Sequence, residues 1–150
     1  MHDQLASRGF DVFLPKHLAW TGRAPRRRRL EQPLFAGYLF VRDPIDKARY
    51  IAITSTRGVA RILGDGWDRL AAVPHAEVDA VRRLTAGDAQ VYRHRLLHDG
   101  DRVRIVGGPL TGLEGLLVRA HHARSLFVVS VGLLQRAVAV EVDAALVEPA

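Results

Sequence analysis

Five arginines crowd into seven positions: Arg23, then Arg26, Arg27, Arg28 and Arg29. Guanidinium groups this dense, with no acid between them, suit one chemistry above others, the neutralisation of nucleic-acid phosphates with release of their counterions. A run of like charge can also simply stay solvated, so the run by itself marks a surface and not a partner. The stretch 34–41, Leu-Phe-Ala-Gly-Tyr-Leu-Phe-Val, is the most hydrophobic strand candidate in the chain. Its apolar side chains would fall on both faces. That fits a strand buried on both sides, or one that shows Phe35 and Tyr38 to a partner, since large exposed aromatics mark interfaces.

Patterns for catalysis or metal binding are weaker. Among the seven histidines, His121 and His122 are adjacent and would point to opposite faces of a strand. His94 and His98 would share a face only in a helix, which the residues between them do not suggest. No histidine has a nearby acid at ligand spacing with an orienting partner evident, and without cysteine there is neither a thiolate site nor a disulfide framework. Glu141 and Asp143 alternate with valines as solvated charges do, and Asp65 and Asp68 flank a Gly66-Trp67 turn. Gly107-Gly108-Pro109 lacks the Gly-Lys-Ser/Thr ending of a phosphate loop, and no serine sits in a nucleophile elbow. The expectation is a binding protein, not an enzyme, with no metal and no cofactor.

Charge divides the chain. Residues 1–90 carry 15 basic and 10 acidic side chains, whereas 99–150 carry 5 and 6, within a total of +6. A polyanionic partner therefore belongs with the first part. No apolar run reaches the length of a membrane span and the N-terminus lacks a signal-peptide layout, so the expected location is cytoplasmic, away from membranes.

The elements that must position these residues differ between the two parts. In residues 99–150, five short β runs alternate with tight turns: 102–106, 116–119, 126–131, 136–143 and 146–148. Val138, Val140 and Val142 fall on one face of the fourth, with Ala137, Ala139, Glu141 and Asp143 opposite. Five strands in about fifty residues predict a small barrel, whose closure hides strand edges. Residues 1–87 read as an α+β domain. A helix tail is stopped by Gly9, a strand over 10–14 ends at Pro15, and 19–32 lack an apolar period and read as a loop. Further strands are expected at 34–41 and 59–63, with helices at 46–54 and from Pro74 to Gly87. The polar segment 88–98 reads as a linker. The chain opens partway into a helix, so this domain is expected to lack its first strand.

At these residues the sequence resembles the NusG family of transcription elongation factors, and more closely its RfaH-like branch. Pro33-Leu34-Phe35-Ala36-Gly37-Tyr38-Leu39-Phe40-Val41, followed by Thr56-Arg57-Gly58-Val59, is similar to the signature of the N-terminal (NGN) domain. Gly100-Asp101-Arg102-Val103-Arg104-Ile105 with residues 108–115, Gly-Pro-Leu-Thr-Gly-Leu-Glu-Gly, resembles a KOW motif in an SH3-like barrel. Ala36 stands where the family has a proline, and Arg49-Tyr50-Ile51 where RfaH-like proteins carry His-Thr-Thr. The resemblance implies that Phe35, Gly37 and Tyr38 meet the clamp helices of the largest subunit of RNA polymerase. It puts Arg23 and Arg26 to Arg29 near the backbone of upstream DNA. It also implies that Leu110, Leu113, Leu133, Leu134 and Arg136 meet ribosomal protein S10 or termination factor Rho. The competing reading is a ribosome- or RNA-binding KOW module, which would lack the 33–41 block.

RfaH refolds its C-terminal domain between helices and a barrel. The period-two valines of this chain favour strands, so 13C secondary shifts over 115–145 are expected to report strand conformation. Helical shifts there would contradict the reading.

Overall fold

The computed structural model describes residues 1–87, 89–96, 100–119 and 125–150. His98, His121 and His122 lie outside the described residues, as do Asp88, Leu97 and Asp99 of the expected linker and barrel start. In chain order the first elements are α1 (His2–Ser7), β1 (Asp11–Phe13), β2 (Lys16–Thr21), β3 (Arg28–Pro33), β4 (Phe40–Arg42), α2 (Lys47–Thr54) and α3 (His75–Ala86). There follow β5 (Val91–Arg95), β6 (Asp101–Ile105), β7 (Glu114–Arg119), β8 (Ser125–Val131), β9 (Arg136–Val142) and β10 (Val147–Pro149). They form two compact units, 1–14 with 36–72 and 15–35 with 73–150.

In the first unit β1 pairs antiparallel with β4, with Phe13 opposite Phe40 and their rings stacked at 6.0 Å. Leu5, Phe10 and Ile53 make the buried centre, and Val12, Leu39, Val41, Ile45 and Ala52 pack around it. Asp46 caps α2 by accepting from the Arg49 backbone N–H at 2.8 Å. The Arg49 guanidinium clamps Asp43 through both carboxylate oxygens and lies 4.6 Å from the Phe10 ring centroid. At the other end of α2, Arg8 donates to the Ala52 carbonyl at 2.9 Å and to the Thr56 hydroxyl at 3.1 Å. A cation there meets carbonyls that the helix leaves unpaired.

Residues 34–41 are not one strand, as the sequence suggests. Leu34 and Phe35 are buried and the chain turns at Ala36-Gly37, with Gly37 at φ +84. Only Phe40–Arg42 finds a partner, because β1 offers three residues to pair with. The strand expected at 59–63 is likewise missing from the ladders: Val59 and Ile62 pack on the Leu5 cluster, and the nearest pairing is an isolated Gly64–Leu70 bridge.

The second unit centres on a six-stranded antiparallel sheet, ordered β10-β6-β7-β8-β9-β5. It is the expected KOW/SH3-like barrel with one strand more than the five expected. The addition is β5, which lies within the segment read as a linker and pairs with β9 from Val91–Val140 to Arg95–Arg136. The outermost strands carry charge or proline, Arg93 and Arg95 on β5 and Pro149 on β10, which discourages further pairing. Helix α3 packs on β8 and buries Ala80, Val81 and Leu84.

Along β8 and β9 the register sets Phe127 against Val140 and Val129 against Val138 on one face, and Val128 against Ala139 and Ser130 against Ala137 on the other. On the face that Ala137 and Ala139 share with the charged Glu141, the two alanines are dry, at 2% and 0% exposed, and cluster with Val128, Leu116, Val118 and Leu126. Period two alone cannot tell a second apolar cover from water when the residue is alanine. Gly115 on β7 lies under the Phe127 ring, where an added Cβ would come within 2.8 Å of two ring carbons and 2.6 Å of the Val128 carbonyl oxygen.

Gly115→Ala is therefore expected to destabilise the protein by about 1–3 kcal/mol through overpacking. Phe127→Ala is expected to cost about 3–5 kcal/mol through the cavity it leaves. Urea unfolding of both variants measures the two costs.

Candidate functional site

Residues 19–32, read from sequence as a loop, are most of a β-hairpin. Strands β2 and β3 pair from Lys16–Pro33 to Thr21–Arg28. The signal was available: β-forming residues flank Gly22 and Pro25, the usual punctuation of a turn. It is weak because much of the hairpin faces water, so no hydrophobic period builds up. Gly22 turns the chain at φ +86, where an added Cβ would sit 2.8 Å from the Arg26 carbonyl oxygen, and Arg26 N–H donates to the Arg23 carbonyl at 2.8 Å. This tip displays Arg23, Arg26, Arg27, Arg28 and Arg29, every one exposed. Among the described residues none of the five is in an ion pair. Unmatched guanidinium groups on a projecting ribbon keep their full charge for an anion.

At the base of the hairpin one backbone oxygen extends its own ladder and another ties it to β5. Leu34 N–H donates to the Pro15 carbonyl at 2.8 Å, and the Arg93 side chain from β5 donates to the Pro33 carbonyl at 2.8 Å. His17, opposite Gln32, lies 3.2 Å from the Gln32 carbonyl oxygen through Nδ1. Burial, and then the nearby Arg93 charge, hold its pKa below the ordinary 6.5, against the opposing pull of the carbonyl bond.

The other predicted positions separate into displayed and buried ones. Phe35 is 2% exposed, so its ring serves packing and the reading in which it faces a partner is corrected. Tyr38 is half-buried, and Gly37 is exposed with open space where a side chain would be. Arg49 is engaged internally with Asp43, whose hydrogen bond raises the Arg49 pKa. Its neighbour Ile51 is 55% exposed.

In the barrel, the β6–β7 turn is held by the Thr111 hydroxyl donating to the Gly108 carbonyl at 2.6 Å, and by Arg83 of α3 donating to the Pro109 and Thr111 carbonyls at 3.0 and 2.8 Å. Leu133 at 40% exposure, half-buried Leu110 and exposed Arg136 are presented, whereas Leu113 and Leu134 are core at 8% and 6%. Across β10, β6 and β7, Arg104 bonds Glu114 at 2.6 Å and lies 4.0 Å from Glu148, forming a cross-strand charge row. The Arg104 hydrogen bond and charge lower the Glu114 pKa. Such exposed pairs contribute little to stability.

An α/β unit and a six-stranded barrel with a glycine-rich β6–β7 turn define a protein of the NGN-plus-KOW class. The family model described as "Transcription termination factor nusG" matches residues 1–82. The protein "Transcription termination/antitermination protein NusG" of Escherichia coli (strain K12) is 30% identical over 141 residues, 93% of this chain and 78% of that protein. Its namesake from Yersinia pestis is 30% identical over 139 residues, 92% and 77% of the two chains, and that of Vibrio parahaemolyticus 27% over 139 residues, 92% and 76%. The chain belongs to the NusG family.

The lowered His17 pKa has a definite sign. The folded state prefers the neutral ring, so its contribution is complete above about pH 6.5 and is lost as pH falls through the folded-state value. Between about pH 7.5 and 5 the wild type should lose stability relative to His17→Gln. NMR titration should place the His17 midpoint below 6.5.

Proposed function

We propose that this chain is a transcription elongation and antitermination factor that works in the cytoplasm while bound to RNA polymerase. Its N-terminal domain, 1–87, docks on the clamp helices of the largest polymerase subunit around Gly37 and Tyr38, with Phe35 holding that segment from the core. The arginine tip, Arg23 and Arg26 to Arg29, rests on the DNA backbone near the upstream fork. The KOW domain, 99–150, follows the 88–98 segment. It recruits ribosomal protein S10 or Rho through Leu110, Leu133 and Arg136, with Leu113 and Leu134 supporting that edge from inside.

The observation that carries this reading is the likeness to proteins named for transcription termination and antitermination, which spans 93% of the chain and so both parts of it. The arginine tip adds to it. Five exposed cations without an acid partner are what a phosphate backbone requires and what folding does not. The alternative of a free-standing KOW module for ribosome or RNA accounts for the barrel only and leaves the match over 1–82 unexplained.

Capture of core RNA polymerase by the full chain tests the docking. Tyr38→Ala is expected to weaken capture roughly tenfold or more, as removal of a central aromatic contact does. Phe35→Ala is expected to act through stability, at about 3–5 kcal/mol. Capture unchanged in both folded variants would remove the clamp from the account.

A further inference from the structure

Helix α3 carries Arg83 in its last turn, and one guanidinium nitrogen of that residue donates to two carbonyls of the β6–β7 turn, Pro109 at 3.0 Å and Thr111 at 2.8 Å. Leu110 lies between them in the chain and is half-buried. The turn also has bonds of its own. The Thr111 hydroxyl and N–H both donate to the Gly108 carbonyl, at 2.6 and 3.3 Å. Gly112 N–H donates to the Ile105 carbonyl at 2.7 Å, and Leu113 N–H to the Leu110 carbonyl at 3.2 Å. None of these four bonds uses the Pro109 or Thr111 oxygen. Gly108 and Gly112 frame the turn at φ +80 and +91, each with open space where a side chain would be. The turn is thus bounded by the residue type with the widest choice of backbone conformations. The helix, by contrast, is a firm support: it buries Ala80, Val81 and Leu84 and packs on β8. Nearer its start, Glu77 Oε1 lies 3.9 Å from where a Cβ would stand on Gly132, the residue that opens the Leu133–Leu134 turn.

We propose that Arg83 is a positioning residue for the partner edge of the barrel, setting the conformation in which the β6–β7 turn presents Leu110. This rests on the reading of Leu110 as part of that edge. It adds a residue outside 99–150 on which the edge depends. The physical argument is convergence. A single nitrogen can bond both carbonyls only if Pro109 and Thr111 turn their oxygens toward the same point, and that fixes the path of the backbone through Leu110. Hydrogen bonds from a cation are stronger than neutral ones. A turn already held in its binding form also loses less freedom when a partner closes on it. Seating of the helix falls to the buried Ala80, Val81 and Leu84, whereas Arg83 is itself exposed.

The test uses the full chain, with ribosomal protein S10 and Rho as probes. Arg83→Met keeps an aliphatic stem and removes the donors. It is expected to weaken binding of the captured probe roughly threefold to tenfold. Arg83→Lys, whose ammonium can still meet both carbonyls, should retain most of the affinity. Leu110→Ala is expected to weaken binding roughly tenfold, and Arg83→Met added to it should cost nothing further, because the two residues act as one unit. In methyl relaxation measurements Leu110 should gain fast mobility in Arg83→Met while Leu133 keeps its own. A role limited to stability would move the urea midpoint without either effect. If Leu110→Ala weakens binding and Arg83→Met does not, or if the two losses simply add, the positioning role is overturned and the edge stands. Unchanged Leu110 mobility in Arg83→Met overturns it likewise. If Leu110→Ala binds like the wild type, or neither probe binds, the edge falls and the positioning role with it.

Discussion

Along the middle of β8 and β9 neither face of the sheet meets solvent: Phe127, Val129, Val138 and Val140 close one side, and Val128, Ala137 and Ala139 close the other. Polarity therefore cannot set the register there, although a one-residue slip would still reverse every side chain. Side-chain volume sets it instead. Val138-Ala139-Val140 turns its larger groups toward Phe127 and its small one toward Val128. Gly115 completes the arrangement, because the space a Cβ would need is taken by the Phe127 ring. With strands β7 to β9 locked in this way, β6 and β10 can add on one side and β5 on the other.

That rigid sheet is what allows the hairpin to be wasteful of burial. An isolated two-stranded ribbon is marginal in water, and β2–β3 leaves Leu18, Trp20 and Leu30 at 45%, 59% and 46% exposure. It is anchored at its base by the Arg93–Pro33 bond from β5, where the Leu34–Pro15 bond adds a rung to its own ladder and His17 is half-buried. Its tip is exposed, and among the described residues its arginines are in no ion pair. Stability is concentrated at one end of the ribbon and binding chemistry at the other.

The first unit uses its cations in the opposite manner. Arg49 is spent on Asp43 and Phe10, and Arg8 on the end of α2 and on the buried Thr56. These arginines organise a small core that has few large apolar residues of its own. A guanidinium suits this task because it forms two parallel bonds to a carboxylate and stacks on a ring at the same time.

Much of this was legible in the residues. The valine alternation, the Gly-Pro and Gly-Leu turns and the stop at Gly9 are local signals, and each predicts an element that the chain forms. The NGN and KOW blocks are equally local, so family membership could be read from their order. What the sequence could not decide were matters of partner and cover. Whether 34–41 would run as one strand depended on the three residues that β1 can pair, and whether Ala137 and Ala139 would be dry depended on Leu116, Val118 and Leu126 lying over them. Phe35 and Tyr38 look alike as aromatic neighbours in a hydrophobic run, yet one is core and the other half-exposed. The arginine run announced its charge in the sequence. Only the pairing of β2 with β3 put Trp20 beside Arg29, because residues nine apart in the chain meet only when a strand register brings them level.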